Sequence, residues 1–226
     1  MQLVAGVVQL LIFQHLALLM ARAKPINDVS SLHTHASICN DSITSIMSQI
    51  HSLIMDMHLK AKERFDTYAH YQRLDAHQIS SLCHAEHSEF PKFSLNRTGS
   101  EEEKLSELYK IFQYMSTAMG NITKEQEKDL NSNNRILHKQ LNTSKEEIAA
   151  VISNLSCVLN KRYKAPKIEV YYKVSRKTWH KKINGCKVLH KYRHFLTQAA
   201  NITGDWGNNG EYTQDLSSDK LTPYHR

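Results

Sequence analysis

Residues 179–186 read WHKKINGC and open the last of four amphipathic segments, which together decide the fold. Trp179 and Lys182 stand three positions apart, so on a helix they share one face. Cys186 follows one turn later, where it can tie the helix to a distant part of the chain. The stretch therefore combines a cross-link with an aromatic and a cationic side chain suited to contacting a partner.

Apolar residues recur three and four positions apart in each of the four segments, as on the buried face of an amphipathic helix. The first predicted helix begins near Asp41 and is about thirty residues long. The second starts at a capping box formed by Ser100 and Glu103 and ends near Gly120. The third starts near Asn134, and the last runs from Trp179 to about Ala200.

The connections between these helices indicate the topology. Residues 73–99 lose periodicity, and residues 161–175 contain Pro166 and an apolar alternation at 168–174 that is typical of a short strand. Residues 121–134 form a shorter link that can include a further helical turn around Lys124–Leu130. Long, short and long connections predict an all-α, long-chain four-helix bundle with up-up-down-down topology and two long crossover loops.

The amino-terminal sequence predicts secretion. Residues 3–20 are almost wholly apolar and are followed by Ala21-Arg22-Ala23, a small-x-small cleavage pattern. We expect a signal peptide at 1–23, a four-helix domain at 24–200 and a disordered polar tail at 201–226. A membrane anchor is the alternative, but the apolar core is short and interrupted by glutamine, and we expect no membrane insertion.

Composition and motifs narrow the function classes. The chain has 29 basic and 22 acidic residues, with positive charge spread through 161–193, which is compatible with a loose affinity for heparan sulfate and does not imply nucleic acid. We find no glycine-rich phosphate loop, nucleophile elbow or paired-histidine helix motif, so we expect neither an enzyme nor a cofactor.

Cysteines and sequons fit an extracellular protein. Four cysteines allow two disulfides in three connectivities, and the sequence alone does not choose among them. Zinc is the competing interpretation of Cys83, His84 and His87, but no Cys-x-x-Cys pair supports a metal site. Six sequons predict glycosylation, at Asn40, Asn96, Asn121, Asn142, Asn154 and Asn201.

Several short runs, taken together and in order, resemble the leukemia inhibitory factor and oncostatin group of the interleukin-six cytokine family. They are Leu82–Phe93, Glu103–Tyr109, Gly120–Thr123, Leu141–Ser144 and Gly185–Tyr192, within a match that covers about residues 39–200. The resemblance implies a secreted, monomeric cytokine that assembles a leukemia inhibitory factor receptor type chain with the shared glycoprotein signal-transducing subunit and triggers JAK/STAT signalling. The alternatives are a growth-hormone-type hormone that dimerises one receptor and a secreted helical carrier of apolar ligands.

The same resemblance implies a disulfide pairing, Cys39 with Cys157 and Cys83 with Cys186. A third bridge of the family has no counterpart here, because His33 and Asn160 occupy its positions.

Two receptor surfaces are also implied. Trp179 and Lys182 match an aromatic-x-x-lysine motif for the receptor, with tryptophan in the place of phenylalanine. The shared subunit would contact Ser48 and Gln49 on the first helix and Ala150 and Asn154 on the third, although a glycan on Asn154 would obstruct that contact. Without the resemblance, Trp179 fits a core residue, and the polar side of the first helix that includes Ser48 and Gln49 fits a solvated face.

Overall fold

The computed structural model describes residues 39–84, 90–93, 95, 98–172 and 174–207. All of them lie within a single unit that spans Ser37–Arg226. The expected signal peptide, His33 and residues 208–226 lie outside the described residues.

Within this part of the chain the regular structure is helical. The helices are α1 Ile43–Tyr71, α2 Ala76–Gln78, α3 Glu101–Glu125, α4 Arg135–Arg162, α5 Thr178–Ile202 and α6 Gly204–Gly207. Two π-helical turns, Ile79–Cys83 and Gln126–Leu130, continue α2 and α3. The four long helices, α1, α3, α4 and α5, are the four that the apolar spacing predicts.

Three of the long helices begin at polar side chains that cap free backbone amides. The Ser42 hydroxyl accepts from the Ser45 amide at α1, and the Asn134 side chain accepts from the Leu137 amide at α4. At α3 the predicted capping box is present, since Ser100 and Glu103 each accept from the other's amide. These contacts place the helix starts close to where the sequence predicts them.

The predicted end of the second helix at Gly120 is wrong. Helix α3 continues to Glu125, and the π-helical turn then extends it to Leu130. Beyond Gly120 the side chain of Ile122 is fully buried in the core. Such packing outweighs the ~1 kcal/mol by which glycine disfavours a helix.

The strand expected at 168–174 is also absent from the described residues of that segment. Burial still alternates there, because Ile168, Val170 and Tyr172 are partly buried while Glu169 and Tyr171 are exposed. The segment lies on the bundle with one side covered, and no neighbouring strand is present in the described residues to pair with it. The alternation therefore reports one-sided burial and not a sheet.

Helix α1 runs antiparallel to both α4 and α5. Next to the start of α1, the Asp41 carbonyl accepts from Lys161 near the end of α4, whereas Arg64 near the other end of α1 forms two hydrogen bonds, of 2.5 and 2.9 Å, with Glu147. Toward α5, His51 lies 3.0 Å from the Thr203 hydroxyl just after that helix. At the opposite end of α1, the Tyr68 hydroxyl donates to the Lys182 carbonyl in the first turns of α5.

Helix α3 is likewise antiparallel to α4 and α5. Glu101 at its start pairs with Arg162 at the end of α4, and Asp129 after its end pairs with Lys181 at the start of α5. Because α1 and α3 both oppose α4 and α5, the first two long helices point one way and the last two the other. The fold is the predicted up-up-down-down bundle.

The first crossover lies along the outside of the bundle and is fixed to it at several points. Phe90 packs edge-on against Tyr114 of α3, and Phe93 packs edge-on against Phe195 of α5.

Cys83 forms a disulfide with Cys186, and Cys39 forms the second disulfide with Cys157. This is the pairing implied by the family resemblance, and it leaves no thiol on Cys83 for zinc.

The predicted start of the disordered tail at residue 201 is wrong. Helix α5 continues to Ile202, and α6 follows at Gly204–Gly207. Trp206 is only 6% exposed and belongs to the core, where burial of a large aromatic ring orders the chain around it. The domain therefore extends at least to residue 207.

None of the helices in the described part of the chain combines the length and the hydrophobicity needed to span a bilayer.

Candidate binding surfaces

The first turn of α5 presents Trp179 to solvent. The side chain is 46% exposed, although by spacing it would start the apolar stripe of that helix. The rest of the predicted stripe is buried, at Ile183, Cys186, Leu189, Tyr192, Leu196 and Ala199. Lys182, one turn after Trp179, is partly exposed and its pairing with the tryptophan follows from the i, i+3 spacing.

A close contact between α1 and α5 holds this turn in place. The hydroxyl of the fully buried Tyr68 lies 3.1 Å from the carbonyl of Lys182 and donates to it. The approach is possible because residue 185 is glycine, since a Cβ there would lie 2.1 Å from the Tyr68 hydroxyl oxygen. Tyr68 and Gly185 therefore fix the orientation of the turn that carries Lys182.

A buried polar cluster continues from Tyr68 into the π-helical turn after α3. The fully buried Gln126 side chain donates to the Tyr68 hydroxyl at 3.4 Å. Its oxygen accepts from Gln72 at 2.7 Å and from Asn131 at 2.8 Å. The cluster joins the end of α1 and the end of α3 to the start of α5 by hydrogen bonds, although the Gln72 side-chain oxygen has no partner in the described residues.

An ion pair closes the same end of the bundle. Lys181 lies 2.6 Å from Asp129 of the π-helical turn, which ties the first turn of α5 to the segment after α3.

Nearby, Glu125 is only 5% exposed, and neither of its carboxylate oxygens has a hydrogen-bond partner in the described residues. Burial raises the pKa of Glu125 to about 7, against the opposing effect of Lys181.

The loop before α5 adds two exposed apolar side chains that the sequence interpretation did not assign to a site. Tyr171 is 78% exposed and Val174 is 57% exposed, and both precede Trp179 by fewer than ten residues. Their signal in the sequence was the run of apolar residues at both odd and even positions. The alternation at 168–174 predicts a strand, and a strand prediction does not identify Tyr171 and Val174 as exposed side chains.

The second predicted surface lies on neighbouring helices. Ser48 and Gln49 of α1 and Ala150 of α4 are all partly exposed, and the Gln49 amide donates to Asp41 at 3.1 Å. On α1 these positions lie between Asp41 and Arg64, whose contacts with Lys161 and Glu147 bracket Ala150 on α4. The structure thus places these positions on two neighbouring antiparallel helices, with Ser48 and Gln49 toward the Asp41–Lys161 contact and Ala150 toward the Arg64–Glu147 contact.

Asn154 does not belong to that surface. It is 2% exposed, and its side-chain oxygen has no hydrogen-bond partner in the described residues. Both a receptor contact and a glycan need an accessible amide, so the burial of Asn154 contradicts both predicted roles. The helical face explains the error, because Asn154 lies beside the core positions Val151, Leu155 and Val158.

The other sequons differ in exposure. Asn40 and Asn201 are exposed, whereas Asn121 and Asn142 are partly buried. The Asn121 amide donates to the Thr117 carbonyl at 3.0 Å, which holds that side chain against its own helix. Asn96 lies outside the described residues. Asn40 and Asn201 are therefore the acceptors with the most accessible side chains.

Comparison with known families gives one match. Residues 45–203 match the sequence model of the LIF / OSM family. The matched stretch begins in the first turn of α1 and ends just after α5, so it includes the four long helices, both cysteines of the Cys83–Cys186 bridge and the first turn of α5. It covers well over half of the chain.

Proposed function

Because the chain belongs to the LIF / OSM family, whose members are cytokines, we propose that it is a secreted, glycosylated cytokine that acts as a monomer without a cofactor or catalytic activity. It brings together a leukemia inhibitory factor receptor type chain and the shared glycoprotein signal-transducing subunit, and so starts JAK/STAT signalling. The observation that carries this proposal is the exposed ring of Trp179, beside Lys182, on a turn that buried contacts hold in place.

The receptor type chain contacts the first turn of α5. Large aromatic residues are frequent energetic centres of protein interfaces, and a ring that is already exposed in the free protein is available to enter a pocket. Rigid support from Tyr68, Gly185 and the Lys181–Asp129 pair lowers the entropy lost on binding. We include the exposed side chains of Tyr171 and Val174, which precede Trp179 by eight and five residues, in the proposed contact area.

The shared subunit contacts the surface of α1 and α4 that includes Ser48, Gln49 and Ala150. The two surfaces are separate, so one cytokine engages two receptor chains at once. Binding to the first chain confines the cytokine to the membrane, and the resulting effective concentration favours capture of the second chain even when its own affinity is modest.

The test is a double substitution, Trp179→Ala with Lys182→Ala. We expect its affinity for the receptor type chain to fall by more than ~30-fold, since interface centres contribute 2 kcal/mol or more. Surface plasmon resonance measures the affinity, and circular dichroism and thermal unfolding should change little because Trp179 is outside the core.

The matched control is Leu59→Ala with Lys62→Ala on α1. Leu59 is the more exposed apolar residue, and the two positions have the same i, i+3 spacing, so this variant should bind the receptor type chain as the unmodified protein does. If the Trp179 and Lys182 variant kept full binding and signalling, a hormone that dimerises a single receptor would replace this proposal.

A further inference from the structure

The positive charge of this protein is concentrated in one region. Residues 161–193 contain twelve of its 29 lysines and arginines but only one of its 22 acidic residues, Glu169. The remaining sequence has 17 basic and 21 acidic residues and is therefore net negative. Helix α5 contains no aspartate or glutamate at all.

A polar stripe follows the outer side of α5. Its members recur three or four positions apart and are exposed or partly exposed, at His180, Asn184, Lys187, Lys191, His194 and Gln198. At 1.5 Å per residue the stripe is about 27 Å long. We call these six residues the outer stripe of α5.

Several lysines on other helices are paired with carboxylates. On α1, Lys60 and Lys62 pair with aspartates one turn away, and on α3 Lys110 pairs with Glu107. Lys187 and Lys191 have no carboxylate within ion-pair distance in the part of the chain that the structure describes. Within the described residues, no carboxylate therefore neutralises these two charges.

The positive charge of this region contributes to a shift in the pKa of His190, which lies beside the stripe. His190 lies between the stripe and the core and stacks on His84 at 4.1 Å between ring centroids. Its pKa is lowered to about 4, first by burial and then by the positive groups His84, Arg193, Lys191 and His194. These groups lie on the first crossover and on α5, whereas α1 contributes the uncharged ring of Phe65, 5.8 Å from the His190 ring.

We propose that the outer stripe of α5 binds a sulfated glycosaminoglycan of the heparan sulfate type. Lys187 and Lys191 lie on a line with polar side chains before and after them, which matches a linear polyanion, and each contact between a lysine and a sulfate releases counterions in the way known for other polyanions. The stripe has no phenylalanine, tyrosine or tryptophan on which a nucleic acid base could stack, and its two rings are those of His180 and His194. The lack of a large aromatic platform favours a sulfated sugar over single-stranded nucleic acid. The choice of an extracellular polymer rests on the proposed secreted function.

The glycan site and the receptor site occupy different sides of α5. At about 100° per residue, the midpoint of Lys187 and Lys191 lies about 130° around the helix from the midpoint of Trp179 and Lys182. A bound glycan chain therefore leaves Trp179 exposed. The cytokine can be held at a cell surface or in matrix while it remains able to bind its receptor.

The experiment reverses two charges, Lys187→Glu with Lys191→Glu, in the full secreted protein. Binding to immobilised heparin is measured at several NaCl concentrations. We expect at least a tenfold loss of affinity and a shallower dependence on salt, because fewer sulfates are neutralised. The control is Lys124→Glu with Lys128→Glu, which has the same spacing and charge change on two exposed lysines flanked by Glu125, Glu127 and Asp129.

Three results would overturn the proposal: unchanged heparin binding by the Lys187 and Lys191 variant, an equal loss in the Lys124 and Lys128 control, or competition by duplex DNA or desulfated heparin as effective as by heparin. Receptor binding is measured in parallel and should be unchanged in both variants. If the unmodified protein bound heparin through these lysines but bound neither receptor chain, the proposed cytokine function would fail and the glycan site would stand.

Discussion

At the scale of single residues, the pair Tyr68 and Gly185 links the core to the candidate receptor site. The tyrosine is wholly buried yet its hydroxyl reaches a backbone carbonyl of α5, and only a residue without a side chain leaves room for that approach. A glycine inside a helix normally lowers its stability by about 1 kcal/mol relative to alanine. Here the close contact reverses that preference.

We therefore expect Gly185→Ala to destabilise the protein, by about 1–3 kcal/mol, as is usual for overpacking. Urea unfolding measures the loss. The double variant Gly185→Ala with Tyr68→Phe removes the hydroxyl that the new methyl would meet and should lose less than the sum of the single variants. Gly120→Ala is the control, because no atom lies within 4 Å of its added Cβ, and it should be neutral or stabilising. A stabilising effect at position 185 would show that the helices separate easily.

At the scale of elements, the carboxyl-terminal boundary shows what a short helix contributes. Helix α6 has only four residues, but it places Trp206 in the core and brings Thr203, just before it, within 3.0 Å of His51 on α1. The Thr203 hydroxyl also bonds the Ala199 carbonyl at 2.9 Å, which closes the last turn of α5. The segment at 201–207 thus belongs to the bundle.

Trp206→Ala should cost about 3–5 kcal/mol of stability, the usual effect of removing a large buried side chain. Trp179→Ala makes the same chemical change at an exposed position and should cost less than ~0.5 kcal/mol, as surface substitutions usually do. Thermal and urea unfolding compare the two. Similar losses in both variants would mean that Trp206 is not a core residue or that Trp179 is one.

These elements also show how far sequence patterns lead. The starts of α1, α3 and α4 were predictable because Ser42, Ser100 and Asn134 act locally, on amides two or three residues away. The end of α3 was not, because burial of Ile122 and Gln126 depends on helices that are distant in sequence. Trp206 follows Ile202 by four positions, but Gly204, Gly207 and the polar residues around it indicated a tail, so its burial was recognised only in three dimensions.

The candidate site also has features that the sequence predicts and features that only the structure shows. The i, i+3 spacing of Trp179 and Lys182 was readable, and the family resemblance gave it a role. The exposure of the ring, the support from Tyr68 and the cluster around Gln126 depend on three helix ends that meet in space. For Asn154 the sequence pattern was misleading, because a sequon records only three residues and carries no information on burial.

At the scale of the whole molecule, two buried groups give stability opposite responses to pH. Glu125, with its pKa raised to about 7, favours the folded state most below the ordinary glutamate pKa, and this contribution is lost as pH rises through 7. His190, with its pKa lowered to about 4, contributes above the ordinary histidine pKa, and this contribution is lost as pH falls toward 4.

Glu125→Gln isolates one of the two responses. The unmodified protein loses stability as Glu125 ionises, and the variant does not. The difference in unfolding free energy between the two should therefore change by about 2 kcal/mol in favour of the variant as the pH rises from 5 to 8, since one pKa unit corresponds to about 1.4 kcal/mol. Urea unfolding at both pH values measures the change. Glu127→Gln, an exposed neighbour, should show no such gain. Parallel pH profiles for Glu125→Gln and the unmodified protein would contradict a carboxyl group with a raised pKa at position 125.

The two disulfides interleave along the chain, since Cys83 lies between Cys39 and Cys157, and Cys157 lies between Cys83 and Cys186. A protease that cuts once anywhere between Cys39 and Cys186 therefore leaves two fragments that are still covalently joined. A cut in the first crossover after Cys83 leaves them joined by both bridges, and a cut in the loop before α5 leaves them joined by Cys83–Cys186. Outside the cell, a nicked molecule would keep its four long helices together, with the turn that carries Trp179 still attached.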